Sequence, residues 1–364
     1  MRPTKIDSRT HGFEGFEISW AGHCPWMGKA CFGSEDGKLF LPVGGSGEQD
    51  EGFDVLSIFE EESINGVAFS GELVAISSRS EVVVGAKLSP SPGRINLQRL
   101  EPSFKGGAHG MVARKSGGFI APLGLDGLLL LYWNGDRVVI QVGETSGQPV
   151  DFYKLISLDD GLNGEVFACA ARDSGLLAFT MDKGLFRPPI IGHRIEGLDI
   201  IDLCSLGSAS APRAMAAMNR DGKMLWTMDV LERKPPLLID FHELTGTVYS
   251  MLSAQGHIFI LTSTELVTLP NLATNFLSGA AMDRPIDGNR ISLEAVDFFL
   301  FEENFLFVIT NDGEFLFRIA DLIAGVAGNH GELISAPPPT SFVPSILEQN
   351  WSSTEATFGE LVAA

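Results

Sequence analysis

The sequence predicts an all-β protein built from one repeated four-stranded sheet. Three observations carry that expectation. A hairpin-like stretch recurs seven times, the copies are spaced by a mean of 46 residues, and helical periodicity is almost missing. The first copy is "ACFGSEDGKLFLPV", residues 30–43, in which Asp36-Gly37 separates two apolar runs. Asp-Gly suits a tight two-residue turn, because such a turn needs positive φ at both central residues.

The remaining copies follow in order. "SRSEVVVGA" begins at Ser78, "LDGLLLLYW" at Leu125, "MDKGLFRPP" at Met181 and "RDGKMLWTM" at Arg220. "TSTELVTLP" begins at Thr262 and "NDGEFLFRI" at Asn311. With Asp36, Ser80, Asp126, Asp182, Asp221, Thr264 and Asp312 as turn residues, the intervals are 44, 46, 56, 39, 43 and 48. Each turn has a strand-like run on either side, and each interval leaves room for two more strands. A period near 46 residues therefore fits four strands per unit, the spacing of propeller blades. A lone four-stranded sheet has two apolar faces to cover. Seven such sheets set radially cover both and leave only short edges. The expected fold is a single seven-bladed β-propeller over residues 1–327, followed by a proline-containing tail, 328–364. Residues 3–9 are expected to close the ring as a strand of the last blade, and residues 318–328 have a modest helical look.

Three of the copies carry a family resemblance. "FGSEDGKLFL", residues 32–41, resembles the "SGSDDGTV" segment of WD repeats. "NRDGKMLWTMD", residues 219–229, resembles it including Trp226, and "LDGLLLLYWNGD" does so with Trp133. The chain resembles a degenerate WD-repeat-like β-propeller over about residues 15–320. It departs from the family in having no Gly-His opening its blades and no Trp-Asp ending them. The resemblance implies architecture more than function, since one fold hosts many functions.

Composition narrows the function classes. The chain has 26 basic and 46 acidic residues, a formal net charge of −20, and its basic residues are scattered singly. That field repels nucleic acid and anionic membrane surfaces. No run of 18 apolar residues is present, and the first residues lack the apolar core of a secretory signal. A cytoplasmic protein is expected. Cys24, Cys31, Cys169 and Cys204 then read as free thiols serving as small buried apolar groups.

Chemistry is not visible locally. The seven histidines show no metal-ligand spacing, no G-x-S-x-G elbow occurs, and "SLDDGLNGE", residues 157–165, fails the calcium-loop pattern. No catalytic residue, cofactor or metal is expected. His109, Glu165 and His242 stand near inner-strand positions where a propeller enzyme could assemble a channel-mouth site.

Departures from the repeat are candidate contact regions. The interval of 56 places about ten extra residues in 142–164, where Phe152 and Tyr153 are either exposed anchors or part of the next blade's strand. Residues 44–63, "GGSGEQDEGFDVLSIFEEES", read as a solvated acidic loop beside an outer strand, "FDVLSIF". In the tail, Pro337, Pro338 and Pro339 precede spaced apolar residues that include Phe342 and Trp351, able to dock outward or back on the ring. Asp36, Asp126, Asp182, Asp221 and Asp312 would crown one face with acid, facing a basic partner, or would simply satisfy turn geometry. The function expected is a non-catalytic protein–protein interaction platform within a larger assembly. A propeller-type hydrolase or lyase and a small-molecule sensor using the channel are the alternatives.

Overall fold

The computed structural model describes residues 4–5, 16–42, 53–87, 95–100, 110–133, 138–143, 150–158, 165–172, 175–181, 190–195, 199–207, 211–227, 229–231, 237–240, 244–270, 288–301, 304–310 and 313–325. Among them are seven four-stranded antiparallel sheets and one short helix. The described strands fall in two compact units.

The first unit holds three sheets. Strand β1, Thr4–Lys5, belongs to the other unit and is taken up below. Sheet I is β2 (Ile18–Cys24), β3 (Lys29–Ser34), β4 (Lys38–Pro42) and β5 (Phe53–Ser57). Sheet II is β6 (Gly66–Ser70), β7 (Leu73–Ser77), β8 (Val82–Lys87) and β9 (Ile95–Leu100). Sheet III is β10 (Val112–Ala113), β11 (Phe119–Pro122), β12 (Leu128–Trp133) and β13 (Val138–Gly143).

The second unit holds four sheets. Sheet IV is β14 (Lys154–Leu158), β15 (Glu165–Ala170), β16 (Leu176–Met181) and β17 (Ile190–Ile195). Sheet V is β18 (Ile200–Ser205), β19 (Met215–Asn219), β20 (Lys223–Thr227) and β21 (Leu237–Asp240). Sheet VI is β22 (Val248–Ala254), β23 (His257–Thr262), β24 (Glu265–Pro270) and β25 (Asn289–Ser292). Sheet VII is β26 (Ala295–Phe301), β27 (Phe305–Thr310) and β28 (Gly313–Arg318), completed by β1. Thr4 pairs with Leu316 and Lys5 with Phe315, so the amino-terminal strand supplies the fourth strand of the last sheet, as the sequence suggested.

The second strands show why one sheet alone is unstable. Every residue of β15, "EVFACA", and of β19, "MAAMN", is buried. Side chains alternate between the two faces of a strand, so both faces are covered. The core clusters show what covers them. Ala216 and Met218 of sheet V pack with Ile258 and Ile260 of sheet VI, while Ala217 packs with Ala168 and Ala178 of sheet IV. Phe259 and Leu261 of sheet VI then join Phe298 and Leu306 of sheet VII. In the three-sheet unit, Val74 and Ile76 face Leu39 and Leu41, and Ala75 faces Phe119 and Leu129. Each fully buried large side chain contributes about 1.5–3 kcal/mol.

Two details of the repeat differ from the sequence reading. The Asp36-Gly37 connection has three residues, 35–37, because β3 ends at Ser34 and β4 begins at Lys38. Only Gly37 has positive φ, at 81°, and its N–H donates to Ser34 O at 3.2 Å. This is a type I turn followed by a left-handed glycine, not a two-residue turn. The second correction concerns sheet IV. Its second-to-third-strand turn runs through residues 171–175, with Gly175 at φ 77°, whereas Asp182 comes after β16. The turn glycines Gly127, Gly175 and Gly222 are then 48 and 47 residues apart. The apparent ten-residue excess came from taking the wrong Asp.

The short helix α1, Ile319–Ile323, follows β28. Asn289 Nδ2 donates to Leu322 O and Ile323 O at 3.1 and 2.9 Å, pairing carbonyls that a helix end leaves open. All four cysteines are free and buried. Burial pushes the Cys204 thiol up to about 12 and also raises Cys24, Cys31 and Cys169. As thiols they pack as small apolar groups and make poor nucleophiles. No helix among the described residues is long and apolar enough to cross a membrane.

Candidate interaction face

In each unit the turns between second and third strands are tied to the loops that enter and leave the sheets. In sheet I, Ile58 N and Phe59 N donate to Gly37 O at 2.9 and 3.1 Å. A Cβ on Gly37 would lie 2.5 Å from Phe59 O, so glycine serves both the turn and the close approach. In sheet II, Glu62 of the incoming loop accepts from the hydroxyls of Ser78 and Ser80, each at 2.5 Å. In sheet V, Arg220 pairs with Asp199 at 3.3 Å. In sheet VI, Thr245 N donates to Glu265 at 2.7 Å and Leu293 N to Thr264 O at 2.9 Å.

In four of the sheets a side chain at or just past the end of the second strand organises the turn. Ser34 Oγ accepts from Lys38 N at 2.9 Å, and Asn219 Oδ1 from Asp221 N and Lys223 N at 3.1 and 2.7 Å. Ser78 and Thr262 do the same in sheets II and VI, whose turns lack Asp-Gly. Hydroxyl and amide side chains replace a backbone acceptor at such positions.

Asp36 is exposed. Partial burial opposes its ionisation, but hydrogen bonds from Lys38 Nζ and Ser34 Oγ, both at 2.5 Å, outweigh this and lower its pKa. Lys38 also lies 4.3 Å from the Phe16 ring centroid. Partial burial and the neighbouring Glu17 raise the Glu35 carboxyl. Asp126 is half-buried in a turn closed by its own N–H donating to Leu123 O at 3.1 Å, and Asp221 is exposed. Asp182, Asp312, Phe342 and Trp351 lie outside the described residues, as do His109 and His242.

Phe152 is only 2% exposed and presents no ring to a partner, which removes it as an exposed anchor. It lies two residues before β14 of sheet IV. Tyr153 is half-buried, with the Arg172 guanidinium 4.4 Å from its ring centroid and Arg172 held by Asp151 at 3.2 Å. Glu165 is buried at the start of β15, the end of that strand away from the 171–175 turn.

The sequence reading missed the bulges on the first strands. Between Ile18 and Trp20, Ile200 and Asp202, Val248 and Ser250, and Ala295 and Asp297, the register slips by one residue. The extra residues are Ser19, Ile201, Tyr249 and Val296, and a bulge re-aims its side chain. Tyr249 and Val296, at equivalent places in neighbouring sheets VI and VII, are 46% and 55% exposed. Leu125, beside Asp126 in its turn, is 65% exposed. The sequence signal was an extra apolar residue that breaks alternation, as in "TVYSM" and "EAVDF".

In the four-sheet unit the position after the bulge carries a carboxylate in sheets V and VII and a hydroxyl in sheet VI. Asp202 is buried and accepts from Lys154 Nζ of sheet IV, from Leu203 N at 2.6 Å, and from Ser250 Oγ and Met251 N of sheet VI, both at 2.7 Å. The Asp202 carboxylate thus joins the first strands of three sheets. Desolvation works against the Lys154 charge, but the adjacent Asp202 overrides it and raises the ammonium's pKa. Among the described residues no group of three or more His, Cys, Asp or Glu side chains could hold a metal ion.

No known protein family matches the sequence, and no curated protein is similar to it. Solved structures are similar in fold. The β-propeller domain of Cps50 (Swd1) from Myceliophteria thermophila superposes with a TM-score of 0.60 at 11% identity, covering 87% of this chain and 99% of that one. The WD40 domain of Neurospora crassa Pan2 gives 0.54 at 11%, covering 84% and 89%. Saccharomyces cerevisiae Sqt1 gives 0.53 at 13%, covering 83% and 96%. With its seven four-stranded sheets, the chain has the fold of a seven-bladed, WD40-like β-propeller.

Proposed function

We propose that this chain is a non-catalytic protein–protein interaction platform, a recognition subunit of a larger cytoplasmic assembly. The observation that carries the reading is the pair of exposed apolar side chains, Tyr249 and Val296, at equivalent bulges of neighbouring sheets whose other large apolar groups are mostly buried. An apolar centre with a polar rim is the usual anatomy of a docking surface. In the four-sheet unit the rim would be the second-to-third-strand turn with Asp221, with Asp312 proposed in the same role; in the three-sheet unit the corresponding turns with Asp36 and Asp126 are proposed as an acidic contact region of their own. Acidic turns on a chain of net charge −20 favour partners with basic surfaces over nucleic acid or membrane. Phe342 and Trp351 of the tail are proposed as a second attachment. Free thiols at all four cysteines suit a reducing compartment.

The test is co-purification from the native source with wild type, Tyr249→Arg, and an Asp36→Lys/Asp126→Lys/Asp221→Lys triple variant. Circular dichroism controls for folding. A defined partner retained by wild type, lost with Tyr249→Arg and weakened by the triple variant supports the platform. A partner set indifferent to all these changes removes this face from the proposal.

A second reading, a hydrolase or lyase, draws on Lys154, Asp202 and Asp297. Against it, Asp202 already accepts four hydrogen bonds. Turnover of a sugar or lactone panel, abolished by Asp297→Asn in a folded protein, would favour the enzyme.

A further inference from the structure

The first strands of sheets IV to VII, neighbours in turn, carry one ammonium and two carboxylates. Lys154 lies on β14, Asp202 on β18 and Asp297 on β26, with Ser250 of β22 between the second and third sheets of the series. Asp202 and Asp297 occupy the same place relative to their bulges, and each accepts the N–H of the residue that follows it, Leu203 at 2.6 Å and Phe298 at 2.8 Å. Their further partners differ. Asp202 also holds Lys154 Nζ, Ser250 Oγ and Met251 N, whereas Asp297 shows, among the described residues, the Phe298 N–H alone.

The charged surroundings of Asp297 come from several elements. Lys154 of β14 attracts its carboxylate, and Asp202 of β18 repels it. The neighbouring β22 offers only Tyr249 as an ionisable group, β23 carries His257 at its start, and β27 carries none. Cys204 of β18 stays a thiol at neutral pH. One ammonium therefore attracts two carboxylates, Asp202 fully buried and Asp297 half-buried. Burial, the largest influence, pushes the Asp297 carboxyl up to about 6, against the opposing pull of the Phe298 N–H and Lys154.

We propose that Asp297 is a proton-operated lock on the four-sheet unit. Protonated, it sits beside the Lys154–Asp202 pair as a neutral group and leaves that pair intact. Ionised, it competes for the same ammonium and loosens the seams between the first strands of sheets IV to VII. The direction follows from linkage. The folded protein holds this proton more tightly than the unfolded chain, whose carboxyl titrates near 3.8. The stabilising contribution is complete below that range and is lost as the pH rises through about 6.

The test is urea unfolding of the full chain, wild type against Asp297→Asn, at about pH 5 and about pH 7.5. A chain of net charge −20 gains stability on acidification for other reasons, so the readout is the difference between the two proteins. Wild type should lose about tenfold more of its folding equilibrium constant than Asp297→Asn over that interval. Parallel pH dependences would overturn the lock. Should the variant fail to fold, hydrogen exchange of wild type, corrected for intrinsic rates, supplies the same decision. Protection in β18, β22 and β26 should fall more between the two pH values than protection in β3 and β7. A uniform fall would sink the proposal.

Discussion

The three-sheet and four-sheet units build the same module but join their first strands by different chemistry. In the three-sheet unit the bulged residue is Ser19, and its hydroxyl donates to Ile64 O of the incoming loop at 2.7 Å. The position after it is Trp20, an aromatic packed on an apolar cluster with Ile64 and Cys31. In the four-sheet unit the bulged residues are Ile201, Tyr249 and Val296, and the positions after them are Asp202, Ser250 and Asp297. One unit seals its seam with apolar contact and a neutral hydrogen bond. The other threads a buried carboxylate through three sheets. The lesson is that a repeat dictates the sheet but not the seam. Shape-filling tolerates neutral substitutions there, while a charge clamp fails as soon as one member is removed.

The sharpest way to break the contrast is Asp202→Ala. It strands the Lys154 ammonium and leaves Ser250 Oγ and two buried N–H groups without their acceptor. We expect a loss of about 3–5 kcal/mol in urea unfolding, with hydrogen exchange showing early opening of sheets IV to VI. A loss below ~1 kcal/mol would mean that the clamp is decorative. Next comes the apolar seam. An added Cβ at Gly33 would lie 2.6 Å from Ile64 Cγ2 and 2.7 Å from its Cβ. Gly33→Ala should cost about 1–3 kcal/mol through overpacking, with exchange rising in sheets I and II only.

Smaller effects compare turns across the units. Ser34→Ala and Asn219→Ala each remove the acceptor that organises a turn, one in each unit. Each should cost ~0.5–1.5 kcal/mol, a shift read from the thermal midpoint. Unequal costs would show that the surrounding loops, not the turn itself, supply the order. Smallest is Asp36→Asn. Its ion pair with Lys38 is exposed, so about 0–0.5 kcal/mol is expected at low salt and less at high salt. Because the Asp36 pKa is lowered, its contribution is present above the ordinary carboxyl range and disappears on acidification below it, opposite in sense to Asp297.

Much of the architecture was readable in residues. Asp36, Ser80, Asp126, Asp221 and Thr264 all fall in turns between second and third strands, and the amino-terminal strand joins the last sheet. Asp182 failed as a marker because "MDKG" places Asp and Gly close together just past a strand, while the real turn, "ARDSG", spreads its signal over five residues. Gly175 at φ 77° is the physical marker, and a single sequence shows glycine without its φ. Of the two readings left open for Phe152, an exposed anchor or part of the next blade's strand, its burial removes the first, which depended on an insertion that vanishes. Of the proposed interaction face, the acidic turns were legible and Tyr249, Val296 and Leu125 were not. A bulge leaves only one surplus residue in an alternating run, which is a weak trace in seven diverged copies.

What the sequence determined alone was local and periodic: apolar runs long enough to be buried on both faces, turn residues that reverse them, and a copy number. Those follow from steric limits on each residue and from the area that a lone sheet would leave wet. The tertiary structure decided what depends on distant partners. It placed Lys154 beside Asp202, 48 positions along the chain, and left Asp297 with a share of the same ammonium. A carboxylate's partners and its proton depend on which strands pack together, and that packing is written in no single stretch of the chain.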